Sequence, residues 1–194
     1  MRHLTRGARS AAIAVVATLS LAAGASAQTA RTGPIRIDNF ASVNAAYFRG
    51  AQPEGQDYAD LAALGVKTVI NLIGDSDLDP SERSMVEQHG MRYVHIPMST
   101  RVTPTAQQLT QFLELVNDPA AQPVYVHCVG GSHRTGVMTA VYRMTHDGLS
   151  GAQAFQEMKQ FKYGPDFLHP EFKRFVQDFY ARRTAAVATT GTHQ

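Results

Sequence analysis

The chain has 194 residues, with 18 Lys and Arg against 16 Asp and Glu, 44% hydrophobic residues and one cysteine. This is the length and composition of one ordinary globular domain, and the near balance of charge gives no electrostatic reason to expect nucleic acid or an anionic membrane as partner. A single cysteine excludes an internal disulfide, so Cys128 is either a small buried hydrophobe or a reactive thiol.

The first 27 residues stand apart. MRHLTRGAR is basic, SAAIAVVATLSLAAG is apolar and small, and Ala25-Ser26-Ala27 follows. That is the pattern of a secretory signal peptide with an A-x-A cleavage site, and its apolar run is shorter than the roughly 20 residues of a membrane span. The expectation is export to the periplasm or secretion with 1–27 removed and no membrane attachment afterwards. Loss of Arg2, Arg6 and Arg9 takes the 18 basic side chains to 15, against 16 acidic ones. Residues 28–36 read as a linker, 37–183 as one domain, and 184–194 as a disordered tail without an apolar face.

Within the domain, residues 46–49 (AYFR) and 66–72 (VKTVINL) read as strands, with a short helix over 58–64 stopped by Gly65. Asp79 and Pro80 form an N-cap and first-turn pair for a helix to about His89, after which 91–96 (MRYVHI) is a strand. Thr103-Pro104 opens the next helix in the same way, through about Val116, and 123–127 is the last strand. Three helices follow, over 134–146, from a Ser150/Gln153 capping box to about Lys162, and over 169–183. Strand and helix alternate and then helices dominate, so the fold class is α/β: a central, mostly parallel sheet flanked by helices, with a C-terminal helical cluster.

The stretch Val124 to Gly136, VYVHCVGGSHRTG, is the chemically loaded one. Cys128 falls where a buried strand ends and a few residues turn into a helix N-terminus, the edge of an α/β sheet at which ligands bind. A loop formed by Val129, Gly130, Gly131, Ser132 and His133 is long enough to curl its backbone N–H groups inward as an anion nest, with the helix dipole behind it. Arg134 can grip two oxygens of a tetrahedral oxyanion with its planar fork. A positive field of this kind favours a thiolate. An oxyanion-binding loop thereby carries its own nucleophile.

HCVGGSHRTG resembles the signature loop of the cysteine-dependent protein tyrosine and dual-specificity phosphatases, H-C-x-x-G-x-x-R-[ST]-G. With NFASVNAAYFRGAQP and LAALGVKTVINL, the chain is similar to the atypical dual-specificity phosphatases of plants, fungi and bacteria, over about Ile37 to Phe179. The resemblance implies a single-domain phosphatase fold and an enzyme in which Cys128 attacks phosphorus and Arg134 binds the equatorial oxygens. It implies that Thr135 donates its hydroxyl to the sulfur, that His127 orients the loop, and that neither metal nor cofactor takes part. The substrate would be a phosphorylated protein or a small phosphoester; oligomeric state is not written in the sequence.

One expected part is missing, because the window where the family carries its proton-donating aspartate reads Pro97-Met98-Ser99-Thr100-Arg101. Asp75 and Asp77 leave the same sheet edge and are the candidate general acids, with Asp79 used as a helix cap. Protonation of a leaving group is worth about 10²- to 10⁴-fold, and the need rises with leaving-group basicity. Phosphotyrosine-like aryl esters and phosphoanhydrides should therefore be better substrates than serine or threonine phosphates. Inositol pyrophosphate phosphatases of the family tend to place cations where this loop has Gly130 and Ser132, which favours an aryl or small phosphoester. The alternatives are a phosphoanhydride phosphatase, a catalytically weak phospho-ligand binding module, and a rhodanese-like sulfurtransferase, whose loop is usually shorter and lacks the R-T-G ending.

Other residues have plainer readings. Arg49 in YFRGAQP either faces the phosphate site or forms a structural ion pair. His89, His95, His146 and His169 lack metal-ligand spacing, Lys159, Lys162, Lys173 and Arg174 lie on solvated helix faces, and Phe155, Met158, Phe161, Phe172, Phe175, Val176 and Phe179 recur as a helical core stripe.

Overall fold

The computed structural model describes residues 35–191, with side chains to residue 186. The expected signal peptide and most of the linker lie outside the described residues. Five strands form one sheet in the order β1-β2-β5-β3-β4: β1 (Ala41–Asn44), β2 (Tyr47–Gly50), β3 (Thr68–Asn71), β4 (Arg92–His95) and β5 (Val124–His127). β1 pairs antiparallel with β2, and the other neighbours are parallel. The mostly parallel α/β sheet expected from the sequence is therefore present.

Side chains alternate across this sheet with the period of two that strands impose. Val69, Tyr93 and Tyr125 face α1 (Asp57–Ala63) and α2 (Glu82–Gln88), where they meet Tyr58, Leu61 and Val86. Ile70, Val124 and Val126 face the other way, onto Phe112, Leu115 and Val116 of α3 (Ala106–Asn117) and Met138 and Tyr142 of α4 (Arg134–His146). α4 is buried from Arg134 through Tyr142, because its outer side is covered by α5 (Gly151–Gln160) and α6 (Pro170–Gly191). Each aliphatic or aromatic side chain fully buried in these layers contributes about 1.5–3 kcal/mol.

Several boundaries differ from the sequence reading. β1 was not expected: its four residues are half exposed and carry no apolar run. α2 starts at Glu82 rather than beside Pro80, yet Asp79 still closes the preceding turn, accepting from Ser81 N at 2.8 Å. α3 is capped by Thr105 and Gln108 in a reciprocal capping box, two residues beyond the expected Thr103. The Ser150/Gln153 box caps α5 as expected. α6 continues past Arg183 to Gly191, where a structureless tail was expected; extending a helix already formed costs less than nucleating one.

Candidate active site

The parallel register lines up Gly50, His127, Asn71 and His95 in one row across β2, β5, β3 and β4. The residues that follow each of them leave the same carboxyl edge of the sheet, where α/β folds bind ligands. Cys128 is the first residue beyond that row on the central strand β5, and it is 3% exposed. The loop that it opens ends at Arg134, the first residue of α4, as the motif spacing requires.

Two contacts fix the path of the loop. Gly131 has φ of +67°, and a Cβ there would lie 2.5 Å from Gly50 C, so only glycine fits. Arg49, fully buried on β2, donates from Nη2 to Gly131 O and stacks its guanidinium 3.9 Å from the Phe161 ring centroid. The ion pair considered for Arg49 is not formed among the described residues; the side chain supports the loop instead. Phe161 is accordingly a platform for Arg49 rather than part of the core stripe, while Phe155, Met158, Phe172, Phe175 and Val176 are buried as expected.

Arg134 is 5% exposed, with Nη1 3.5 Å from Leu72 O and 3.4 Å from Met98 O. Two carbonyls leaving the ends of β3 and β4 thus orient one edge of the guanidinium and leave its other donors for a ligand. The Thr135 hydroxyl is buried without a protein hydrogen-bond partner. His127 is fully buried and stacks on Tyr125 at 5.7 Å between centroids. Its Nε2 lies 2.8 Å from Oε1 of the equally buried Glu82, but off the axis of a well-formed hydrogen bond, so both atoms lack an aligned partner. Glu82 Oε2 accepts from Asn71 Nδ2 at 2.5 Å. A buried carboxylate behind the loop histidine was not visible in the sequence, because α2 and β5 meet only in the fold.

His133 lies at the mouth of the loop. Its Nε2 bonds Tyr163 O at 2.9 Å, and its ring packs 3.8 Å, centroid to centroid, from His169. Burial pulls the His133 pKa below its ordinary value, and the neighbouring His169 and Arg134 act in the same direction, against the bond to Tyr163. His169 is therefore a neighbour of the site rather than a plain helix-end residue. The expected solvated lysines are also engaged: Lys159 and Lys173 pair with Asp166, and Lys162 with Asp38.

Asp75 and Asp77 lie on a 3₁₀ turn directly after β3 and are exposed. Asp75 Oδ1 is 3.8 Å from His95 Nδ1, whose other nitrogen bonds Ile73 O at 2.7 Å. A Cβ on Gly74 would lie 3.3 Å from Met98 O, the carbonyl that receives Arg134. The turn is thus next to the arginine's support, and the two carboxylates are at the rim rather than inside. Ser99, Thr100 and Arg101, at the position of the missing acid, are exposed. Among the described residues no cluster of His, Cys, Asp and Glu has the makings of a metal site.

A family profile described as DSP-PTPase phosphatase fused to NAD+ kinase matches residues 29–174. The chain is 32% identical over 119 residues to the dual specificity protein phosphatase TpbA of Pseudomonas aeruginosa, covering 61% of this chain and 52% of that protein. It is 32% identical over 134 residues to the tyrosine-protein phosphatase-like protein OCA2 of Saccharomyces cerevisiae, covering 68% of each. The chain spans about half the length of its Pseudomonas relative. Among solved structures, that of TpbA matches with a TM-score of 0.62 at 27% identity, over 73% of this chain and 84% of that one. The catalytic core of the PP-IP phosphatase SIW14 from Saccharomyces cerevisiae matches with a TM-score of 0.66 at 23% identity, over 80% and 94%, a likeness of fold. A parallel sheet whose central strand ends in this cysteine loop defines a cysteine-phosphatase class. The chain belongs to the DSP-PTPase phosphatase family.

Proposed function

We propose that the protein is a cysteine-dependent phosphatase acting on phosphotyrosine-like aryl esters or small phosphoesters. The observation that carries this reading is the placement of Cys128 and Arg134 at the two ends of one loop on the sheet edge, with the arginine's orientation set by Leu72 O and Met98 O. Cys128 sulfur forms a bond to phosphorus as the bond to the leaving oxygen breaks, and water then hydrolyses the cysteinyl phosphate. Arg134 binds the equatorial oxygens through both steps, the kind of preorganised electrostatic stabilisation that dominates such reactions. Thr135 gives its hydroxyl to the departing sulfur, His127 holds the loop, and Val129 to His133 line the oxyanion site. Asp75 or Asp77 protonates the leaving oxygen.

Support for aryl substrates comes from the absence of an acid between Pro97 and Arg101 and from the exposure of Asp75 and Asp77. TpbA has been crystallised with phosphotyrosine as a cysteine-to-serine variant, and SIW14 is named an inositol diphosphatase. Gly130 and Ser132 leave this loop without the cations suited to the latter substrate. Export to the periplasm or beyond is part of the proposal and rests on the leader sequence. The test is a substrate panel on the mature protein: p-nitrophenyl phosphate and phosphotyrosine peptides should turn over, and phosphoserine peptides about 10²-fold or more slowly. Equal rates on aryl and serine phosphates, or a preference for a phosphoanhydride, would overturn the assignment.

A further inference from the structure

An anion nest works only if its N–H groups face inward. Three consecutive carbonyls of the loop accept hydrogen bonds from β2 and from the residues just before β1 and just after β2. Val129 O accepts from Gln52 N at 3.1 Å, Gly130 O from Asn39 Nδ2 at 3.1 Å, and Gly131 O from Arg49 Nη2. In a trans peptide the C=O and the following N–H point in opposite directions. These bonds therefore turn the N–H groups of Gly130, Gly131 and Ser132 away from the supporting segment, toward the side on which an oxyanion would sit.

The two side chains involved are built for this task. Asn39 holds φ of +58° and also donates to Ser132 Oγ at 3.2 Å and Phe161 O at 3.0 Å, tying the loop to the end of α5. Arg49 is fully buried, its Nε and Nη1 have no hydrogen-bond partner, and no carboxylate pairs with it among the described residues. Burial is the leading influence on its pKa and pulls it down. A cation held in that position without a counter-ion is costly unless something negative comes near.

We propose that Asn39 and Arg49 are positioning residues for the phosphate-binding loop, fixing the peptides after Gly130 and Gly131 with their N–H groups turned toward the oxyanion. The inference rests on the phosphatase reading, but its test does not need turnover. Cys128 is the only cysteine, so protection from iodoacetamide reports binding of inorganic phosphate directly. Asn39→Gly keeps the left-handed backbone comfortable and removes the donor. It should weaken phosphate protection about 10-fold, the equivalent of one lost hydrogen bond of about 1.4 kcal/mol. Arg49→Gln should weaken it further, with Arg49→Lys recovering part of the loss. A purely structural role would lower the unfolding midpoint and leave phosphate affinity in place. Should Arg49→Gln fail to fold, Asn39→Gly decides alone, since Asn39 is only partly buried. Wild-type phosphate affinity in that variant would overturn the proposal. Failure of turnover with phosphate binding intact would count against the phosphatase reading instead.

Discussion

At the residue scale the loop makes its sharpest steric demand at Gly131. Gly131→Ala introduces a Cβ 2.5 Å from Gly50 C at a φ of +67°. The variant should lose about 1–3 kcal/mol of stability, read from a denaturant midpoint, and turnover should fall with it; an unchanged midpoint would mean that the backbone relaxes there freely. Arg134→Lys keeps the charge but cannot serve Leu72 O, Met98 O and two phosphate oxygens at once. Its kcat should drop about 10²- to 10³-fold, and a near wild-type rate would show that the ligand is held otherwise. For the general acid, Asp75→Asn or Asp77→Asn should slow weakly activated aryl phosphates by about 10²-fold and spare substrates with acidic leaving groups. Equal slowing of both, or of neither, would remove these two carboxylates from the reaction. The placement of Cys128, Arg134, Thr135 and His127 at one strand end and helix start was readable because the motif is contiguous in sequence. Arg49 was marked by YFRGAQP but its partner was not, and the role of Asn39 was not marked at all, since the loop carbonyls that they reach lie 82 and 91 positions away.

At the scale of elements, the connection between α5 and α6 docks on the loop through His133, Tyr163 and His169. Nε2 of His133 carries a proton when it donates to Tyr163 O, in the neutral or the charged ring, and it is burial that favours the neutral one. Its folded-state pKa is depressed below an unfolded value near 6.5. Its contribution to stability is therefore fully present above that value and is lost as pH falls through the folded pKa, when the unfolded chain takes up the proton more readily. Arg134 and His169 would repel the charged ring and Glu171 would favour it. In an NMR titration His133 should change charge below pH 6.5, with Tyr163 shifting in step; a midpoint at or above 6.5 would contradict the packing described. The buried strands β3 and β5 were readable as apolar runs, and the capping box of α5 fixed its start to the residue. β1 escaped because ASVN is short, half exposed and held by pairing with β2 rather than by its own pattern. The end of α6 was misplaced because loss of an apolar face does not by itself stop a helix that the preceding turns have already nucleated.

At the scale of the whole molecule, alternating strands and helices specified the α/β class, and register did the rest by bringing Gly50, His127, Asn71 and His95 into one row. The loop, the arginine's carbonyl supports and the acidic turn all leave that row on the same edge. The central claim is that Cys128 becomes phosphorylated during turnover. Rapid acid quench of the protein with an aryl phosphate, followed by mass analysis of the peptide containing Cys128, tests it most directly. One phosphoryl group should appear on that peptide within the first turnover and decay on the timescale of kcat, while Cys128→Ser should show neither the adduct nor turnover yet still bind inorganic phosphate. Hydrolysis that proceeds with Cys128 unmodified, or that survives in Cys128→Ser, would contradict the account.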